Sequence, residues 1–218
     1  MIRIFQMIKI KDNYILLLIL LLACLFRLGS YNIVPLFSDT ANYARISAEI
    51  SKGDYWLTGP NASDKPPVFF YVQAAFFALF GVNESVALLP SFLAGLIGVV
   101  FMYAIGKQVH SEVAGRWAAF MMAISPTAVE MSGLGLVDGL LVTTILWSFW
   151  LLLKQQFFWG GVAIGLAFGV KQTTLAFGPL YLYWIIICAI YRDPDPIRSL
   201  WYAIKNSVFG FSIVFFPV

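Results

Sequence analysis

The chain has 218 residues, of which 61% are hydrophobic and only 11% charged, with a formal net charge of +3 and a mean hydropathy of +0.84. Soluble domains carry roughly 25% charged residues, so this composition excludes an ordinary soluble fold and points to an all-α, polytopic membrane protein. The small charge and the lack of a basic run give no reason to expect a nucleic-acid partner.

The N-terminus begins with Arg3, Lys9 and Lys11 and turns apolar at Tyr14. It has no small-residue cleavage site, so the first apolar run reads as an uncleaved span rather than a signal peptide. Apolar runs follow at 14–36, 86–106, 116–133, 139–154, 157–170 and 176–191, and a seventh begins near 208. A crossing helix needs about 20 residues, so about seven spans are expected, the last cut short. This suggests a single transmembrane domain over 1–218 that forms the N-terminal part of a longer protein. Cys24 and Cys188 both lie in apolar runs and read as small buried hydrophobes. Gly161, Gly165 and Gly169 recur every four residues and predict a ridge that lets a neighbouring helix approach closely; Gly95 and Gly98 have the same look.

Loop charges decide whether the run Pro67–Phe80 crosses. If it does not, nine of the fourteen Lys and Arg residues (Arg3, Lys9, Lys11, Lys107, Arg116, Lys154, Arg192, Arg198 and Lys205) share the inner face. If it does, only Arg3, Lys9, Lys11 and Lys171 remain there. The positive-inside rule favours the first arrangement. The N-terminus is then inside, 37–85 is one outer loop, and 67–80 is an interfacial helix.

That loop holds the best candidates for chemistry. After Ser38 and Asp39, the residues Tyr43, Ile46 and Ile50 recur at helical spacing, with Asn42, Arg45, Glu49 and Lys52 on the other faces. This predicts a short amphipathic helix lying on the membrane. Asp39 can be read as its N-cap, worth about 1 kcal/mol, or as a general base at the membrane surface. Further on, Asp64-Lys65-Pro66-Pro67 sets a carboxylate and an ammonium on a stiff turn, because Pro66 biases Lys65 toward an extended backbone and Pro67 suits the first turn of a helix. Such an ammonium is a point-charge partner for a phosphate, or else an interfacial anchor. Asp138 opens the fourth span as a cap or as a cavity-facing acid. Glu130 and Lys171 stand at similar depth and are able to pair with a neighbouring charge. His110, the only histidine, has no second ligand nearby, which argues against a histidine-built metal site. Asn61-Ala62-Ser63 and Asn83-Glu84-Ser85 match the glycosylation acceptor pattern.

Three stretches taken together, SDTANYARISAEISKGDYW, DKPPVFFYVQAAFFALFGVNESVALLPSFLAGL and SPTAVEMSGLGLVDGLLV, resemble in order and spacing the N-terminal half of the type C membrane glycosyltransferases. The resemblance is to the protein O-mannosyltransferase-like and aminoarabinose (lipid A) transferase-like enzymes and covers roughly 14–190. It implies a transmembrane helix bundle with amphipathic interfacial helices in the first outer loop. It places an essential aspartate at Asp39, a lysine contacting the lipid phosphate at Lys65 and a second aspartate at Asp138. Tyr43 and Asp64 join Lys65 as substrate-binding candidates. The implied reaction moves a sugar with inversion from a polyprenyl-phosphate donor to a protein, lipid or glycan acceptor at the outer face. In that reaction Asp39 deprotonates or orients the acceptor, and Asp138 supports the acceptor or shapes the cavity. No cofactor is fixed, and a divalent cation is left open. The chain departs from the family in two places. Thr40 follows Asp39 where the family often has glutamate, and Gly133 stands where an arginine is usual. A flippase or transporter of lipid-linked saccharides is the alternative, with a non-catalytic fragment as a third reading. Charges gathered at the outer surface, rather than at the midplane within interrupted helices, favour the enzyme.

Overall fold

The computed structural model describes residues 14–31, 36–58, 65–190 and 196–215. Among them it is all-α. In chain order the helices are α1 (Tyr14–Ser30), α2 (Ser38–Ser51), α3 (Val68–Phe80), α4 (Glu84–Val109), α5 (Glu112–Ile124), α6 (Pro126–Gly133), α7 (Val137–Leu153), α8 (Phe157–Val170), α9 (Gly178–Ile190) and α10 (Pro196–Phe215). A 3-10 segment, Gln172–Phe177, links α8 to α9.

The apolar runs do not become seven long helices. Among the described residues, by itself only α4 is long and apolar enough to cross a bilayer. Helices α6 and α7 reach that standard only as one broken span bent by 117°. The run expected at 116–133 starts earlier, at Glu112, and breaks at Ser125. Pro126 supplies no backbone N–H and suits a first helical turn, and the Ser125 hydroxyl caps the new helix by accepting from the Ala128 N–H. The last helix also starts well before Val208. It runs for 20 residues from Pro196, with Arg198, Lys205 and Asn206 diluting its apolar character.

Helices α2 and α3 form as expected, and the apolar face of α2 packs against the bundle. Tyr43, Ile46 and Ile50 join Phe69, Phe70 and Ala74 of α3 in one core with Val137, Leu141 and Ile145 of α7 and Ile164, Ala167 and Val170 of α8. A buried polar link fastens the pair: Ser47 Oγ donates to Gln73 Oε1 at 2.7 Å, and Gln73 Nε2 donates to the Ala87 carbonyl of α4 at 2.7 Å. The outer side of α3 keeps Tyr71, Leu79 and Phe80 exposed. With 13 residues it spans about 20 Å, short of a hydrocarbon core of about 30 Å.

The glycine ridge acts as its spacing predicts. A Cβ at Gly161 would strike the backbone carbonyl of Ser207 in α10, and one at Gly165 would stand 3.0 Å from Val214 Cγ2. Gly169 instead meets Val68 of α3, so one stripe of α8 seats two partners. Gly95 lies against Ser132 and Arg27, and Gly98 against Met122 and Thr143. Arg27 is fully buried in α1. Its NH1 donates to the Ala23 carbonyl at 3.1 Å and to the Ala123 carbonyl at 3.4 Å. Ala123 belongs to the last turn of α5, where carbonyls lose their helical partners, so the guanidinium helps satisfy the helix end created by the break at Ser125.

Candidate active site

Two carboxylate–ammonium pairs define the site. The first is built on α2. Asp39 is in its first turn, and the N-cap is Phe37, with no side-chain cap bond. The structure therefore does not bear out the N-cap reading of Asp39. One turn on, Tyr43 is buried, with its ring 5.9 Å from Phe69 and 5.7 Å from Phe70. This packing aims the phenol at the loop. Lys65, three residues before α3, donates from Nζ to the Tyr43 hydroxyl at 2.6 Å. The Tyr43 hydroxyl donates to Asp39 Oδ2 at 3.4 Å, and Lys65 Nζ lies 3.9 Å from the same oxygen. The Lys65 and Asp39 side chains are 41% and 55% exposed, so both charges are open to a ligand while the phenol behind them is fixed. Asp64 lies outside the described residues.

The second pair is built on α7 and the end of α8. Asp138 occupies the first turn of α7, whose N-cap is Leu136, again without a side-chain cap bond. Lys171 follows the last residue of α8 in extended backbone and donates to Asp138 Oδ1 at 2.8 Å. Asp138 also lines a cavity of about 200 Å³ at the bend between α6 and α7, together with Gly95, Ser125, Thr127 and Met131.

The turn just before Asp138 is pinned from both sides. Thr40 Oγ1 donates to the Leu134 carbonyl at 2.8 Å, and Ser91 Oγ donates to the Leu136 carbonyl at 2.7 Å. Gly135, between them, has φ +72, a left-handed value that favours glycine. The structure thus brings Asp39, Tyr43 and Lys65 together as one group and Asp138 with Lys171 as another, joined through Thr40. Sequence reasoning singled out Lys171 only as a charge at similar depth and gave Thr40 no part in the site. It passed over Arg27, whose lone charge within an apolar run was the available signal. His110 is the C-cap of α4, and Asn83 is its N-cap, accepting from the Val86 N–H. Among the described residues no group of three or more His, Cys, Asp or Glu side chains converges on a metal-sized site.

This all-α membrane bundle has the fold of a known class. Residues 64–217 match the model of the dolichyl-phosphate-mannose-protein mannosyltransferases, and the chain belongs to that family. Two proteins of Bacillus subtilis (strain 168) that carry provisional mannosyltransferase names are similar to it. YkcB is 32% identical, over 88% of this chain and 29% of its own length. YycA is 32% identical, over 78% of this chain and 27% of its own. The chain thus spans under a third of the curated relatives it matches. The crystal structure of ArnT from Cupriavidus metallidurans in the apo state superposes with a TM-score of 0.75 at 20% identity, over 93% of this chain and 40% of that one, which establishes a shared fold.

Proposed function

We propose that this protein is a membrane glycosyltransferase that moves a sugar from a polyprenyl-phosphate donor to an acceptor at the outer membrane face, with inversion. The observation that carries this reading is the half-exposed Lys65–Tyr43–Asp39 group, an ammonium and a carboxylate held by one buried phenol. Membership of the mannosyltransferase family supports it, and the nine-to-four division of basic residues between the inner and outer faces, with Arg27 inside the first span, supports the orientation.

In the reaction, Lys65 binds the donor phosphate as a point charge. The acceptor oxygen attacks the anomeric carbon from the face opposite the phosphate, and its proton passes to Asp39. The bond from the anomeric carbon to the phosphate oxygen breaks, and the leaving group departs as a phosphate anion balanced by Lys65, so no general acid is required. In-line attack puts base and leaving group on opposite sides of the sugar, so the 3.9 Å Lys65–Asp39 contact opens by several ångström as donor enters. Tyr43 then keeps its bond to one partner and steadies the other. Asp138, its charge balanced by Lys171, orients the acceptor.

The reading is tested with the protein from its full reading frame, comparing wild type with Asp39→Asn. The substitution keeps volume and removes the base, and a general base contributes about 10²–10⁴-fold. A folded variant that keeps more than roughly a tenth of wild-type turnover would remove Asp39 from the mechanism.

A further inference from the structure

The two carboxylates of the site stand 99 positions apart in sequence, and one side chain crosses between their elements. Thr40, fully buried, directly follows Asp39. Its hydroxyl donates to the carbonyl of Leu134, the C-cap of α6. From there the chain needs only Gly135 and Leu136 to reach α7 and Asp138. The Thr40 methyl also abuts this turn, since a Cβ at Gly135 would stand 3.0 Å from Thr40 Cγ2 and 2.6 Å from Leu88 Cδ2. The rest of α2 is held independently by Tyr43, Ile46, Ser47 and Ile50. The Thr40 bond is therefore not needed to keep α2 on the bundle. What it fixes is where the Asp39 end of α2 meets the start of α7.

We propose that Thr40 is a positioning residue that holds Asp39 and Asp138 at a set spacing, so that both carboxylates act on one acceptor group. This rests on the reading above in which both aspartates serve the acceptor. Threonine suits the task because its β-branch restricts the side chain to few rotamers, aiming the hydroxyl at one carbonyl. Misplacement of a reacting group by about 1 Å costs about 100-fold in rate, so loss of this one bond should be read mainly in turnover.

The experiment uses the protein from its full reading frame in detergent, with a polyprenyl-phosphate sugar as donor and release of polyprenyl phosphate as readout. Thr40→Val keeps shape and removes the donor hydroxyl. We expect kcat to fall 10- to 100-fold while the donor KM stays within threefold, and Thr40→Ser to stay within threefold of wild type. Gly135→Ala strains the same junction from its other side and should give the same kcat-only loss. Spin labels at Asn42 and Glu130, both exposed, should give a narrow distance distribution in wild type and in Thr40→Ser, and a broader one in Thr40→Val. If Asp39→Asn and Asp138→Asn abolish release but Thr40→Val stays within twofold, positioning by Thr40 is wrong and the enzymatic reading stands. A kcat loss with an unchanged label distribution likewise overturns positioning. Should Thr40→Val fail to fold, Thr40→Ser decides alone: a folded serine variant with more than tenfold loss contradicts the proposal. If the aspartate variants are as active as wild type, the proposed reaction itself fails.

Discussion

Lys65→Ala separates a ligand-binding ammonium from a structural one, because the two roles predict different magnitudes. At 3.9 Å from Asp39 and in water-like surroundings, the ion pair is worth about 1 kcal/mol. Both side chains are roughly half exposed, which puts the net value in the range of about 0–1 kcal/mol. The bond to the Tyr43 hydroxyl adds little, because water can replace either partner at the exposed end. Lys65→Ala should therefore lower the unfolding midpoint by no more than about 4 °C. A hydrogen bond to a charged group is worth about 1.5–3 kcal/mol, so losing the phosphate contact should weaken donor binding roughly 10- to 150-fold. Titration of a polyprenyl-phosphate sugar into wild-type and variant protein in detergent, with a melting curve of each, measures both numbers. Lys65→Arg should recover only part of the affinity, because a planar fork presents its charge differently from an ammonium. A donor Kd within threefold of wild type, or a large fall in the midpoint with affinity intact, would make Lys65 an anchor and refute the reasoning.

Other expectations follow from the same geometry. Lys171→Met should reduce turnover about as much as Asp138→Asn. A double-mutant cycle between them should give a coupling of about 0.5–3 kcal/mol, and additive effects would mean the 2.8 Å contact has no part in function. Gly161→Leu drives a side chain into the Ser207 carbonyl and should destabilise the protein by about 1–3 kcal/mol, read by denaturant or thermal unfolding; an unchanged midpoint would show that α8 and α10 are not packed as described. Cysteines at Lys52 and Gln156 should react with an impermeant reagent from opposite sides of the membrane, and same-side labelling would reverse the orientation.

Much of this site was legible because it lies in side chains whose spacing carries information. The period of Tyr43, Ile46 and Ile50 defined α2, and the two prolines after Lys65 marked the turn that presents it. What was hidden depended on the backbone or on distance. The partner of Thr40 is a carbonyl, which any residue at position 134 would offer, so no residue type there signalled the contact. Asp138 and Lys171 could be matched in depth but not in azimuth around their helices, and only packing settles azimuth. The break at Ser125 was within reach, since Ser-Pro is a helix start signal, even inside the mostly apolar run 116–133. The apolar face of α2 looked suited to lipid because a membrane surface and a protein core demand the same periodicity. The glycine ridge succeeded because close approach requires small residues whichever partner fills the groove.

Release of free polyprenyl phosphate tests the central claim most directly. The protein from its full reading frame, in detergent with a polyprenyl-phosphate sugar and a panel of protein, lipid and glycan acceptors, should liberate the lipid phosphate in step with acceptor glycosylation. That release should be lost in Asp39→Asn and sharply reduced in Lys65→Ala. A protein that leaves the donor intact with every acceptor, yet moves it between leaflets when reconstituted in vesicles, would be a flippase and would contradict the account.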